Sequence, residues 1–122
     1  MHPRTLARVQ ALGRVTFGAG LAVAPGAVAG AWVGGPGERP GGRVLAVAMG
    51  ARDLAIGLGV LRSLGSSHGA SAWIRAGVLA DTADLVATLR ERDELPTVAV
   101  PVVAAMAAGS VALGLWLQNA LD

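Results

Sequence analysis

Four apolar runs, each about as long as a membrane-spanning helix, constrain this chain of 122 residues more than any other feature. A helix needs roughly 20 apolar residues to cross about 30 Å of hydrocarbon, and within lipid its backbone must satisfy its own hydrogen bonds. The runs are therefore predicted to be helices. They cover residues 15–33, 44–64, 70–89 and 95–117.

Short connections between the runs predict how the helices are arranged. Residues 34–42 are rich in glycine and proline, residues 65–69 form a short loop that contains His68, and residues 90–94 form a charged cluster. Short loops place consecutive helices side by side in opposite directions. The sequence thus predicts an all-α fold in which residues 1–122 form one domain, a four-helix antiparallel transmembrane bundle.

Composition favours a membrane location and argues against nucleic acid as a partner. Hydrophobic residues make up 53% of the chain and charged residues only 15%, whereas a soluble domain usually has about a quarter charged residues. The ten basic residues are scattered arginines, and a nucleic-acid surface needs a basic patch. We expect a multi-pass protein of the cell membrane, with the lipid bilayer as its partner.

The N-terminal region leaves two points open. Arginines in the connections are equal in number on the two sides of the predicted bundle, and the tendency of the first helix to dominate favours an N-terminus inside. Residues 1–31 also have the pattern of a signal peptide, with three arginines, an apolar stretch and small residues before Trp32. Against cleavage, that apolar stretch contains Pro25 and many glycines.

Charged residues interrupt the second and third runs near their centres. GARDLAIGLGVL (50–61) contains Arg52 and Asp53, and AGVLADTADLVATL (76–89) contains Asp81 and Asp84. A charge at the bilayer centre costs roughly 2.5 to 3.5 kcal/mol on insertion scales, so such side chains are expected to face the bundle interior and pair. Arg75 is nearer a helix end, where a long side chain can reach the interface.

The register of a hairpin between the second and third helices predicts which charges pair. Around a turn at residues 64–70, Arg52 lies at the depth of Asp81 and Asp84, which share one helix face because they are three residues apart. Arg52 is therefore predicted to pair with one of them. Asp53 points about 100° away from Arg52 and is expected to meet the first or fourth helix, or a neighbouring subunit.

Two interpretations of this cluster remain open, an ionic lock that sets helix register and a ligand-binding or catalytic pocket. A neutral carboxylic acid beside an arginine would serve as a proton donor and an anion stabiliser. No metal or cofactor is expected, because the chain has no cysteine, no histidine pair and one short D-x-x-D string. The candidate residues are Arg52, Asp53, Arg75, Asp81 and Asp84.

A sequence pattern across the two charged runs resembles a known class of membrane protein. The pattern is G-x-R-D-L-x-x-G-x-G-x-L over residues 50–61, followed by W-x-R at 73–75 and D-x-x-D at 81–84. It resembles small four-helix integral membrane proteins of uncharacterised function from GC-rich bacteria, which are loosely DoxX-like. The resemblance covers about residues 43–90. It implies four helices and pairing of the two polar motifs, and it provides no established catalytic residues to transfer to this chain.

Three functions fit these observations. The first is a structural or accessory subunit that partners another membrane protein or a second copy of itself. The second is a membrane enzyme or binder for a lipophilic small molecule with a polar head, and the third is a proton-coupled transporter. A tightly packed cluster favours the first function, and an open cavity beside the aspartates favours the second.

Overall fold

The computed structural model describes residues 1–66 and 69–121, and this part of the chain forms six helices and no strand. The all-α prediction is confirmed. His68 lies outside the described residues, so its place in a loop stays a prediction. The helices are α1 Pro3–Val23, α2 Pro25–Val33, α3 Gly35–Glu38, α4 Pro40–Ser63, α5 Ala70–Arg90 and α6 Ala99–Leu121.

The first predicted helix, over residues 15–33, is wrong as a single element. α1 begins at Pro3, ends at Val23, and is followed after a turn of 108° by α2. Pro25 causes the break, because a proline has no amide hydrogen and excludes the helical conformation for the residue before it. Ala24 accordingly has a non-helical backbone, with φ −128° and ψ 60°.

The other predicted segments coincide with long helices but differ at their ends. α4 begins four residues before the predicted start, because Pro40 occupies its first position, where a missing amide hydrogen costs nothing. α6 begins at Ala99 rather than residue 95, and Pro96 precedes the helix while its carbonyl accepts the amide of Ala99. α5 extends one residue past the predicted third segment, to Arg90.

The long helices α1 and α4 pack through backbone contacts that only glycine permits. A Cβ on Gly18 would lie 2.7 Å from the carbonyl oxygen of Gly50, and a Cβ on Gly57 would lie 2.9 Å from that of Ala11. Small residues let two helix backbones approach closely. Residue numbers fall along α4 as they rise along α1, so the two helices are antiparallel.

The remaining long helices follow in the same alternating way. α4 contacts α5, α5 contacts α6, and α6 contacts α1, so the four long helices form a ring. Neighbours in the ring run in opposite directions, because in each pair the later residues of one helix meet the earlier residues of the next. The contacts that establish this are Gly59–Trp73 and Arg52–Asp84 for α4 and α5, and Val78–Gly114 and Asp81–Ser110 for α5 and α6.

Within the described residues, two helices are long and apolar enough to cross a membrane by themselves, α4 and α6. The bent pair α1 and α2 gives a third candidate if it counts as one span. α5 does not qualify, and it carries four charged residues. Two or three candidate spans are consistent with a membrane protein, and four crossings are part of the proposal below.

Two apolar clusters form the core, one in each half of the ring. The first joins the N-terminal half of α1 to the C-terminal half of α6, and the second joins the C-terminal half of α1 to α2 and α4. The polar side chains described next lie between them. The buried members are Ala7, Ala11, Val60, Leu64, Ile74 and Leu117 in the first cluster, and Leu21, Ala29 and Ala46 in the second.

Candidate functional site

Polar and charged side chains meet halfway along all four long helices. Arg14 is the twelfth of 21 residues in α1, and Asp53 is the fourteenth of 24 in α4. Asp81 is the twelfth of 21 in α5, and Ser110 is the twelfth of 23 in α6. We call these residues, with Gln10, Arg52 and Asp84, the polar cluster.

The predicted pair between the second and third apolar runs is present. Arg52 binds Asp84 through two parallel hydrogen bonds, of 3.0 Å from Nη1 to Oδ1 and 2.8 Å from Nη2 to Oδ2. Such bidentate, charge-assisted pairs are among the strongest polar contacts in proteins. Nη2 of Arg52 also lies 3.4 Å from Oδ1 of Asp53, so Arg52 bridges the carboxylates of Asp53 and Asp84.

Asp53 meets a helix other than α5, as its angular position predicts. Its partner is Arg14 of α1, whose Nη1 lies 3.0 Å from Oδ1 of Asp53. The other terminal nitrogen of Arg14, Nη2, lies 2.5 Å from Oδ2 of Asp81. Arg14 therefore links α1 to both α4 and α5, and its side chain is only 10% exposed.

Two neutral side chains extend the polar cluster to α6. The hydroxyl of Ser110 donates to Oδ2 of Asp81 at 2.6 Å. The amide nitrogen of Gln10 donates to the carbonyl and hydroxyl oxygens of Ser110, at 3.0 and 2.9 Å. Every long helix thus contributes at least one polar side chain to one connected network.

Arg75 lies outside the polar cluster, in contrast to its place among the sequence candidates. It is exposed on α5 and precedes Asp81 by six residues, which is roughly 9 Å along a helix axis. Arg14, which is not among the sequence candidates, is the second arginine of the cluster. The cluster contains two arginines and three aspartates, so its formal charge is −1.

Three residues of the polar cluster are absent from the sequence candidates: Arg14, Gln10 and Ser110. Arg14 directly precedes the first apolar run, which begins at residue 15, so the sequence places it in a basic flank. One signal pointed to it: Gln10, Arg14 and Phe17 recur at the four- and three-residue spacing of a helix face. Ser110 gives no comparable signal, since a serine in an apolar helix is common.

A cavity of about 490 Å³ opens beside the polar cluster, between α1, α2 and the N-terminal half of α6. This volume is in the range of pockets for small molecules. Its floor is formed by the side of the polar cluster that faces α6, and its walls are mostly apolar. The lining residues are Gln10, Gly13, Arg14, Phe17, Val28, Ala31, Trp32, Asp53, Asp81, Asp84, Pro96, Val98, Ala99, Val102, Val103, Met106, Ala107 and Ser110.

The cavity opens sideways onto the apolar surface of the protein. Val98, Val102 and Met106 line the cavity, and they are 75%, 51% and 64% exposed. Val102 and Met106 lie on α6 and Val98 directly precedes it, so the rim of the opening is apolar. A molecule that reached the cavity through this opening would first contact hydrocarbon-like surface.

The bend after α1 places α2 in the cavity wall. Trp32 of α2 donates its indole hydrogen to the hydroxyl of Thr88 on α5 at 3.1 Å. Its ring also packs against that of Phe17, with centroids 6.3 Å apart and planes at 49°. A straight continuation of α1 would not put Trp32 against α5, so the break at Pro25 helps to create the cavity.

The two aspartates of the D-x-x-D string, Asp81 and Asp84, pair with different arginines. Asp81 binds Arg14, and Asp84 binds Arg52. Among the described residues, no three metal-ligating side chains converge in a way that would hold an ion. The D-x-x-D string therefore serves two separate ion pairs in this structure.

Comparison with protein-family models, with curated proteins and with solved structures finds no match to this chain. The resemblance to DoxX-like proteins stays a prediction.

Proposed function

We propose that this chain is an integral membrane protein that binds a lipophilic small molecule with a polar head. One observation carries the proposal: a cavity with apolar walls opens on an apolar surface and ends at a polar cluster. The sequence alone favours a structural or accessory subunit. An ionic lock needs no space beside it, so the cavity supports the binding function instead.

The proposal includes a four-helix antiparallel transmembrane bundle, with the bent pair α1–α2 and the charged helix α5 both embedded. α5 supports this, because Asp81 and Asp84 point inward and are paired, whereas Leu79, Val86 and Leu89 are exposed. Intramembrane charges are tolerated when they face the interior and pair. Exposed leucine and valine on α5 suit contact with lipid tails.

The shape of the cavity indicates how such a molecule would bind. From Ala99 to Ser110 the wall formed by α6 extends roughly 17 Å, at about 1.5 Å per helical residue. Its far end is the polar cluster, halfway along the helices. The head of the ligand would lie at mid-depth in the bilayer and its apolar body along α6, beside Phe17 and Trp32.

Two glycines provide a matched test of binding. Gly13 lines the cavity and Gly109 does not, and for each of them an added Cβ would meet nothing within 4 Å. Gly13→Leu should therefore place its Cβ in free space and extend into the cavity, and Gly109→Leu should add the same atoms elsewhere. We expect the parent protein and Gly109→Leu to retain a co-purified lipophilic molecule and Gly13→Leu to lose it, as measured by native mass spectrometry from mild detergent.

Equal retention of the molecule by the two leucine variants would contradict the proposal, as would a parent protein that carries no small molecule. Thermal melting of both variants shows whether a loss of binding arises from unfolding. A Gly13→Leu protein that melts like the parent and binds nothing would establish the cavity as the binding site.

Reporter fusions test the membrane arrangement. With four crossings, fusions after residues 37 and 93 should report one side of the membrane and a fusion after residue 66 the other. An N-terminus inside places residues 37 and 93 outside, and the cavity in the outer half of the bilayer. Fusions after 37 and 66 that report the same side would exclude a crossing by α4.

A further inference from the structure

We infer that the polar head of the ligand is a monovalent organic cation, such as a protonated amine attached to an apolar body; this inference rests on the proposed function. The first reason is the charge of the site. The formal charges of two arginines and three aspartates sum to −1, midway along the helices. An uncompensated charge in an apolar environment is costly, and a bound cation compensates it.

The second reason is which hydrogen-bonding groups remain available in the site. Both terminal nitrogens of Arg14 donate to aspartates, the hydroxyl hydrogen of Ser110 goes to Asp81, and the amide nitrogen of Gln10 goes to Ser110. In the described part of the chain, no donor contacts Oδ2 of Asp53 or Oδ1 of Asp81. Arg14 retains further N–H hydrogens, but these two carboxylate oxygens provide acceptors for a donating head.

The third reason is the aromatic wall. Phe17 and Trp32 line the same cavity, and Phe17 follows Arg14 by three residues, about one helical turn. The faces of aromatic rings carry negative potential and attract cations. A cationic head thus meets carboxylate oxygens and aromatic rings, both of which favour positive charge.

Heads of other charge fit less well. An anionic head would have to compete with two aspartates for Arg14. It would also change the formal net charge of the site from −1 to −2. A neutral head would leave the net charge uncompensated. The preference for a cationic head over a neutral or anionic one is thus electrostatic, and it should disappear when one carboxylate is removed.

Three probes that share one apolar body test this inference. 2-Naphthylmethylamine is cationic at neutral pH, 2-naphthylmethanol is neutral and 2-naphthoate is anionic. Equilibrium dialysis against protein in nanodiscs, with empty nanodiscs as reference, measures each dissociation constant. We expect the parent protein to bind the amine at least about tenfold more tightly than the alcohol, and the naphthoate most weakly.

Substitutions of aspartate test whether charge causes the preference for the amine. Asp81→Asn removes one negative charge with little change of volume and should bring the affinities for amine and alcohol within about twofold of each other. Asp93→Asn is the control, because Asp93 is an exposed carboxylate outside the cavity.

The outcomes distinguish this inference from the proposed function. If all three probes bind equally and Gly13→Leu blocks them all, the cavity binds lipophilic molecules and the cationic head is wrong. Tightest binding of the naphthoate, or an unchanged preference in Asp81→Asn, also overturns the inference. If no probe binds above empty nanodiscs, both the inference and the proposed function fail. The comparison among probes on the parent protein needs no variant to fold.

Discussion

The two halves of the molecule on either side of the polar cluster are built differently. In one half, the ring of helices is filled: Leu117 is fully buried, and Leu64 and Ile74 are nearly so. In the other half, the same helices enclose a cavity of about 490 Å³. The difference arises at Pro25, where α1 ends its straight course and the short helix α2 forms the wall beside α6. One half is thus filled by side chains, and the other contains the cavity beside its own apolar cluster.

The largest effect is expected from Arg14, which forms the floor of the cavity and contacts both neighbouring helices. Arg14→Gln leaves Asp53 and Asp81 without their main cation, and loss of one partner of a buried ion pair typically costs about 3 to 5 kcal/mol. The free energy of unfolding in detergent should fall by about that amount. Arg8→Gln is the control, because Arg8 is exposed on the same helix.

A second substitution should restore part of this loss. In the double variant Arg14→Gln with Asp81→Asn, one of the stranded carboxylates is gone, so its stability should exceed that of Arg14→Gln alone. An Arg14→Gln protein as stable as Arg8→Gln would show that the polar cluster does not hold the two halves together.

A pair of apolar truncations compares the halves directly. Leu117→Ala creates a void in the filled half and should cost about 2 to 5 kcal/mol of unfolding free energy. Met106→Ala removes a side chain that already borders open space and is 64% exposed, so stability should change by less than about 0.5 kcal/mol. Chemical denaturation in one detergent measures both. Equal losses would mean that the cavity half is as tightly packed as the other.

A smaller loss than that of Arg14→Gln is expected from Arg52, whose side chain is 31% exposed and does not line the cavity. Arg52→Gln should lower the free energy of unfolding by about 1 to 3 kcal/mol, because Asp84 loses a charged partner but its side chain is not fully buried, with 17% exposed. Arg43→Gln, at an exposed position on the same helix, is the control. A loss as large as that of Arg14→Gln would contradict the different burial of the two arginines.

The sequence by itself, through its apolar runs and residue spacing, determined the long helices and one ion pair of this protein. Apolar runs of about 20 residues predicted the long helices, and the bounds of α5 were predicted to within one residue. The Arg52–Asp84 pair was also predictable, because α4 and α5 are joined by a short turn. A short turn between antiparallel helices sets which residues lie at equal depth, so the pairing follows from residue numbers.

Only the tertiary structure decided where Arg14 binds and where the cavity lies. Arg14 meets Asp81 across 67 residues, and no short turn sets the register between α1 and α5. The cavity depends on how far α1 and α6 stand apart, which follows from the glycine contacts of α1 with α4 and from the direction of α2 after Pro25. A proline in the sequence predicts that a helix breaks, but the direction of the next helix depends on the contacts it finds. For α2 these contacts include Phe17 on α1, Thr88 on α5 and the apolar cluster that it shares with α4.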